Sequence, residues 1–118
     1  MAQTVSLATD RVGAFTEVIT LDGECDRWTA VAAHERIRGA LDEGRTHIIF
    51  DLRGVSSIGP SMMYMLSRGA IEAKARNGRL AIVRPNERVW ARFEHDGLGR
   101  VFPSFVELRD AVGAELSA

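Results

Sequence analysis

A short apolar run, HIIFDL, occupies residues 47–52. Its β-branched and aromatic content is typical of a strand that is covered on both faces of a sheet. Residues 54–60 are predicted to form a loop after this strand. A helix then begins at Pro60, because proline at the first helical position loses no hydrogen bond, and it is expected to run to about Asn77. The run therefore indicates the central strand of a layered α/β fold.

The segments on either side continue this pattern. A hairpin is predicted at the N-terminus, and helices separate the strands that follow it. Intervening helices favour parallel neighbours, whereas the hairpin must be antiparallel. We therefore expect an α/β fold with a mixed sheet, an N-terminal antiparallel hairpin and about four helices. The other predicted strands are Thr4–Ala8, Phe15–Leu21, Leu80–Val83 and a weak one near Arg100–Phe102, and the other helices follow Asp26, cover Glu87–His95 and begin at Ser104.

The first predicted helix begins after Asp26, whose carboxylate is suited to cap it. Its apolar residues recur at spacings of three, four and their sums, which places them on one inward face. These residues are Trp28, Val31, Ala32, Ile37, Ala40 and Leu41.

The composition indicates one ordinary globular domain. The 118 residues suffice for a single core, so we expect one domain over residues 1–118. Hydrophobic residues make up 46% of the chain and charged residues 26%, and the formal charge of −1 provides no field that would attract nucleic acid. No apolar run is long enough for a membrane span and no signal-peptide pattern is present, so we expect a cytoplasmic protein.

The sequence carries no recognised catalytic or cofactor motif. The glycine-rich phosphate-binding patterns and the zinc pattern H-E-x-x-H are missing, and the three histidines lack a metal-binding spacing. The single cysteine, Cys25, lies between two acids, which raise the pKa of a thiol and oppose its use as a nucleophile. We therefore expect no catalytic residue, no metal and no cofactor, and a protein that is not an enzyme.

Hydroxyl groups concentrate in residues 54–63, at the predicted junction of strand and helix. A phosphate on Ser61, in the first turn of the helix, would be stabilised by the partial positive charge of the helix N-terminus. The same phosphate would disrupt a protein interface by repulsion and desolvation. The alternative is that Ser56, Ser57 and Ser61 only satisfy hydrogen bonds of the turn and the cap.

The residues that follow these serines bear on partner binding. If exposed, Met62, Met63 and Tyr64 would form an apolar contact patch, although methionine at helical spacing more often belongs to the core. Because the three residues are consecutive, they cannot all point inward.

Four short motifs, in this order along the chain, resemble those of the STAS domain family, which includes bacterial anti-sigma factor antagonists and the cytoplasmic tails of sulfate transporters. The first is similar to the family's G-E-L-D turn, and the second to its central strand with the continuation D-L-x-x-V. The third is an Asn-Gly pair before a strand, and the fourth is similar to the family's F-x-x-x-G-L step. They stand here as Gly23-Glu24-Cys25-Asp26, His47–Leu52 with Gly54-Val55, Asn77-Gly78 and Phe93-x-x-x-Gly97-Leu98. The resemblance covers nearly the whole chain and implies a STAS-type sheet.

In this family the loop after the central strand normally has the sequence D-S-[ST]-G. Its first serine or threonine is phosphorylated by the partner anti-sigma factor, which is a kinase. The matching residues here are Gly59-Pro60-Ser61-Met62, so glycine replaces the aspartate and proline occupies the usual phosphoacceptor position. The resemblance thus implies either a shifted phosphoacceptor, with Ser61 first and Ser57 second, or a domain that has kept its docking surface and lost the switch.

The resemblance implies an anti-sigma factor antagonist, which binds an anti-sigma factor of the kinase type and so regulates sigma-factor-dependent transcription. The alternative is a constitutive STAS subunit of an ABC lipid transporter or a stress-sensing scaffold. We expect neither nucleic-acid binding nor membrane insertion, and no oligomeric state is predicted. The expected partner-binding residues are Glu24, Asp26, Gly54, Ser56, Ser57, Ile58, Gly59, Pro60, Ser61, Met62 and Met63.

Overall fold

The computed structural model describes residues 6–116 of the chain. Within this range, five strands and four α-helices alternate after an opening hairpin, and a short 3-10 helix precedes the last strand. In chain order they are β1 (Ser6–Val12), β2 (Thr16–Cys25), α1 (Arg27–Asp42), β3 (His47–Ile58), α2 (Pro60–Ala75), β4 (Arg79–Val83), α3 (Glu87–His95), the 3-10 helix (Leu98–Arg100), β5 (Ser104–Phe105) and α4 (Leu108–Leu116). The α/β fold expected from the sequence is confirmed.

The five strands form one mixed sheet in the order β1-β2-β3-β4-β5. β1 and β2 are antiparallel, and the other neighbouring strands are parallel. β3 lies in the middle, as its apolar run predicts, and Ile48, Ile49, Phe50 and Leu52 are completely buried. Helices that connect parallel strands return the chain across the sheet. The N-termini of α1 and α2 therefore lie beside the carboxyl ends of β2 and β3.

The helices cover the two faces of the sheet unequally. Residues of α1, α2 and α3 pack on one face, over a core that includes Ile19, Phe50 and Leu80. On the opposite face, α4 contributes Ala111 to a smaller cluster around Ile49. α4 is therefore the described helix that shields this second face.

An ion-paired cluster fixes the end of α4 to the sheet. Glu115 has a side chain with no exposed surface, and its Oε1 accepts a hydrogen bond of 2.7 Å from Nε of Arg79. Its other oxygen, Oε2, lies 2.5 Å from Nδ1 of His47. Because His47 begins β3 and Arg79 begins β4, this one carboxylate joins α4 to two strands.

The inward face of α1 differs from the predicted one. Trp28 and Val31, which were expected to face inward, are 69% and 56% exposed, and Ala32 is exposed as well. α1 and α2 lie so close that a Cβ atom at Gly69 would sit 2.7 Å from Cδ1 of Ile37. Small residues suit such a close contact, and the large side chains turn to the surface. The buried residues of α1 are Thr29, Ala30, Ala33, Ile37, Ala40 and Leu41.

Residues 54–58 were predicted as a loop, and this prediction is wrong. β3 continues to Ile58, because these residues pair with the last residues of β2. The pairing contains irregularities in register between Thr20 and Asp22 and between Gly23 and Glu24. A bulged pair of this kind leaves no periodic apolar pattern, so polar and glycine residues misled the prediction. Only Gly59 separates β3 from α2.

The predicted limits of strands and helices near both ends of the chain also differ from those in the structure. β1 runs from Ser6 to Val12, four residues beyond the predicted end at Ala8, and the turn of the hairpin follows at residues 13–15. The predicted strand near residues 100–102 is wrong, because the 3-10 helix and a turn occupy that region. Ser104 lies in β5 and its hydroxyl accepts a hydrogen bond from Nε of Arg84, so it does not cap a helix. The part of the first predicted strand before Ser6 lies outside the described residues.

Candidate functional site

The two polar segments singled out in the sequence meet at one edge of the sheet. Glu24 and Ser57 are register partners at the ends of β2 and β3, and Cys25 pairs with Ile58 one step further. The backbone N–H of Gly59 donates a hydrogen bond of 3.0 Å to the carbonyl oxygen of Cys25. The end of β2 and the start of α2 thus form one continuous surface.

Asp26 has a structural task at this surface. Its Oδ1 accepts hydrogen bonds from the backbone N–H groups of Trp28 at 2.9 Å and Thr29 at 3.1 Å, which caps α1 as predicted. These bonds, that from the backbone of Thr29 foremost, hold the pKa of Asp26 below its ordinary value. Glu24 is exposed and makes no ion pair within residues 6–116. Of the two acids, Glu24 has the carboxylate that no capping hydrogen bond engages, and Asp26 is exposed as well.

The serines of the site differ in accessibility. Ser61 is exposed as the second residue of α2, directly after Pro60, and the cap residue Gly59 provides no side-chain hydrogen bond. Ser57 is also exposed, whereas Ser56 is half-buried. The carbonyl oxygen of Ser56 accepts a hydrogen bond of 2.8 Å from Nη2 of Arg88 in α3. The hydroxyl groups of Ser61 and Ser57 are therefore those that a second protein can reach.

Three of the expected partner-binding residues are placed in the core. Ile58, Met62 and Met63 are 6%, 0% and 4% exposed, so their side chains do not offer an apolar contact patch. Ile58 is buried as the last residue of β3, and Met62 and Met63 lie on the side of α2 that packs into the core. Tyr64 is 66% exposed and is the outward-facing member of the consecutive set.

The structure adds a groove that the sequence did not suggest. It lies between residues 27–34 of α1 and residues 60–68 of α2, has a volume of about 660 Å³, and is called here the α1–α2 groove. Val31 and Tyr64 line it, and the exposed Trp28 lies three residues before Val31 on α1. The one available signal was the spacing of small residues in α1, because a face made of alanines predicts close packing there and an outward Trp28.

Basic side chains also line the α1–α2 groove. Arg27, His34 and Arg68 all contribute to it, and its lining contains no acidic residue. His34 is already engaged, because its Nε2 lies 2.7 Å from Oε1 of Glu72 on α2. Arg27 stacks over the Trp28 ring at 5.1 Å. Neither Arg27 nor Arg68 has an ion-pair partner within the described part of the chain.

Cys25 lies directly beneath this surface, but its thiol is unsuited to act as a nucleophile. Its side chain is 2% exposed, and burial, together with the charges of Asp26 and Asp22, raises the pKa of its thiol to about 11. At neutral pH the sulfur is therefore protonated, and a protonated thiol is a poor nucleophile. Within residues 6–116, no cluster of three or more His, Cys, Asp or Glu side chains is arranged to hold a metal ion.

No helix in the described range has the length and apolar character required to cross a bilayer.

The site combines exposed hydroxyl groups, an exposed acid, aromatic side chains and two arginines without an ion-pair partner among the described residues. Aromatic and arginine side chains are the residues that contribute most to protein interfaces. Such an arrangement is typical of surfaces through which proteins bind one another.

Solved structures with a similar fold cover nearly the whole chain. The anti-sigma factor antagonist SpoIIAA in its unphosphorylated form has a TM-score of 0.84 and 24% identity, over 96% of this chain and 98% of that one. An anti-sigma factor antagonist from Mycobacterium paratuberculosis has a TM-score of 0.80 and 21% identity, over 94% and 93%. The murine anion transporter Slc26a9 has a TM-score of 0.65 and 19% identity, over 89% of this chain but 18% of that one. At these identities the likeness shows a shared fold.

Sequence comparison gives the family directly. No curated protein sequence matches the chain, but the profile of the STAS domain matches residues 8–111. Because that match extends over most of the 118 residues, the protein belongs to the STAS domain family.

Proposed function

We propose that this protein is an anti-sigma factor antagonist. It binds an anti-sigma factor of the kinase type in the cytoplasm and so regulates sigma-factor-dependent transcription, as a single docking domain and not as a catalyst. The observation that carries the proposal is the exposure of Ser61 at the second residue of α2, on the surface shared with Glu24. The anti-sigma factor antagonists with similar structures support the assignment.

Ser61 is the proposed phosphoacceptor, with Ser57 as the second candidate. In the transfer, the γ-phosphoryl group of ATP bonds to Oγ of Ser61, ADP leaves, and the hydroxyl proton passes to a base of the kinase. The product adds up to two negative charges at the start of α2, which the helix dipole stabilises. The same charges change the docking surface, and the partner then dissociates.

Pro60 supports a second candidate function. It stands at the first residue of α2, where the family motif has its phosphoacceptor, and it has no hydroxyl group. A domain without the switch would serve as a constitutive STAS subunit of an ABC lipid transporter or of a stress-sensing scaffold. Such a subunit needs the docking surface but not the kinase reaction.

Affinity purification of the tagged protein from its native host, with the bound proteins identified by mass spectrometry, distinguishes the two functions. We expect recovery of a small histidine-kinase-like ATPase, and incubation of the purified pair with ATP should phosphorylate the wild type and Ser57→Ala but not Ser61→Ala. Recovery of transporter or scaffold subunits without such an ATPase would contradict the antagonist assignment. Phosphorylation that persists in Ser61→Ala and disappears in Ser57→Ala would move the phosphoacceptor to Ser57.

A further inference from the structure

The α1–α2 groove exposes more apolar surface than isolated surface residues would. Val31 and Tyr64, which line it, are 56% and 66% exposed, and Arg27, which also lines it, lies over the exposed ring of Trp28. Scattered apolar residues on a surface need no explanation, but exposed apolar side chains that line one groove are typical of an interaction site. The volume of about 660 Å³ is sufficient for several side chains of a partner.

The charges of the groove indicate the chemistry of its occupant. Arg27 begins α1, and Arg68 lies about two turns into α2, so the two cations flank the apolar surface around Tyr64. The lining contains no acidic side chain, and Glu72 beside it is engaged by His34. Asp26 directly precedes Arg27 but caps α1, and neither Arg27 nor Arg68 forms an ion pair with a described residue.

A second copy of this chain is a poor occupant. A two-fold dimer formed through the groove would bring the same patch of both copies together. Arg27 and Arg68 of one copy would then approach those of the other, and like charges that face each other across an interface oppose binding. The occupant must instead supply negative charge.

We propose that the α1–α2 groove binds an acidic segment of the partner protein, whose apolar side chains contact Val31 and Tyr64 and whose carboxylates pair with Arg27 and Arg68. This inference rests on the proposed function, since it assigns a second part of the docking surface to the same partner. It also connects the groove to the phosphorylation site, because Ser61 contributes to the lining. A phosphate there competes with the partner's carboxylates for the same arginines.

A partner-independent experiment tests the charge preference. The wild-type protein is used to select from a phage-displayed library of random 16-residue peptides, and the enriched peptides are synthesised and their affinities measured by fluorescence anisotropy. We expect enrichment of aspartate and glutamate together with aliphatic or aromatic residues. Backbone amide shifts in ¹H–¹⁵N spectra should locate these peptides at Val31, Tyr64 and Arg68.

Charge reversal supplies the control for the groove. Arg27→Glu and Arg68→Glu should each weaken peptide binding about tenfold or more, and the effect should shrink as salt is raised. Arg109→Glu, on α4 at the opposite face, should change the affinity less than twofold. Both groove arginines are exposed and unpaired, so the variants should fold, and unfolding midpoints equal to that of the wild type would establish this. Peptides in which lysine replaces the acidic residues should bind a variant that combines Arg27→Glu and Arg68→Glu better than they bind the wild type.

Peptides enriched without acidic residues, no enriched peptides, or acidic peptides that bind both variants normally would overturn the proposal. Self-association of the wild type that Arg27→Glu abolishes would do the same, because the occupant would then be a second copy. Failure of the proposed function is separate. If an anti-sigma factor binds Arg27→Glu and Arg68→Glu with unchanged affinity, the proposed role of the groove is wrong but the proposed function is not. If no anti-sigma factor binds the protein, the proposed function is wrong, and the preference of the groove for acidic peptides is still tested by the selection.

Discussion

The backbone N–H of Gly59 donates a hydrogen bond of 3.0 Å to the carbonyl oxygen of Cys25. This bond joins the end of β2 to the residue that precedes α2, so the starts of α1 and α2 lie side by side. Arg27 and Ser61 consequently line the same groove although they are distant in sequence. The proposed docking surface is therefore a product of strand pairing between β2 and β3.

Replacement of Ser61 by glutamate should weaken binding to the anti-sigma factor about tenfold or more, because a fixed negative charge there imitates the phosphate. Ser61→Ala should bind as the wild type does, since it retains the uncharged surface. Isothermal titration calorimetry with the purified pair measures both. Ser57→Glu, at the second candidate phosphoacceptor, shows which of the two positions carries the effect, and a Ser61→Glu variant of wild-type affinity would count against the switch at Ser61.

Two helical glycines should respond to alanine with opposite signs. At Gly39 a Cβ atom meets nothing within 4 Å, so Gly39→Ala should stabilise the protein by about 0.5–1 kcal/mol through helix propensity. At Gly69 the Cβ atom would lie 2.7 Å from Cδ1 of Ile37 and 3.1 Å from Cδ1 of Leu80. Overpacking there should outweigh propensity and destabilise by about 1–2 kcal/mol. Urea unfolding measures both, and equal effects would show that α1 and α2 are further apart.

Loss of the Glu115 carboxylate should loosen α4. In Glu115→Gln the side chain is neutral and offers one acceptor oxygen where the carboxylate of Glu115 offers two, so we expect a destabilisation of about 1–3 kcal/mol with faster amide exchange in α4. Glu107→Gln is the matched control, because its pair with Arg109 is exposed and should contribute less than about 1 kcal/mol. Identical exchange rates in α4 of both variants would show that Glu115 does not anchor the helix.

Cys25 should react only when the protein unfolds. A thiol whose pKa is about 11 should react with iodoacetamide at pH 8 about 100-fold more slowly than one with an ordinary pKa near 9. The folded protein holds the thiol proton more tightly than the unfolded chain, so this contribution to stability is complete below pH 9.0 and is lost as the pH rises towards 11. Rapid alkylation of the folded protein at pH 8 would contradict the burial.

Substitutions of Asp26 should separate its structural and binding roles. Asp26→Ala removes the cap of α1 and should lower the melting temperature, whereas Asp26→Asn keeps an acceptor oxygen and should lower it less. Because hydrogen bonds depress the pKa of Asp26, its contribution is complete above the ordinary pKa and disappears as the pH falls through the lowered one. If Asp26→Asn melts normally but loses the partner, the charge itself contacts the partner. Equal melting of Asp26→Ala and the wild type would rule out the cap.

Local patterns sufficed for most of the fold. The apolar run at residues 47–52, Pro60 at a helix start and the Asn77-Gly78 stop each depend on residues close in sequence. Asn77 indeed has a positive φ of 63°. Gly78 is required there because a Cβ atom would sit 1.9 Å from the carbonyl oxygen of Thr46. The sequence also indicated the serines of the site, since hydroxyl groups at a strand-to-helix junction are visible without coordinates.

Only the tertiary structure decided which side chains of the site lie at the surface. Residues 54–58 become strand through pairing with β2, and the packing of α2 on the sheet buries Met62 and Met63. Close packing of α1 on α2 turns Trp28 and Val31 outward and leaves the groove between the helices. These outcomes depend on distances between segments far apart in the chain. The sequence by itself thus determined the order of elements and the position of Ser61, whereas contacts between elements determined the surface around it.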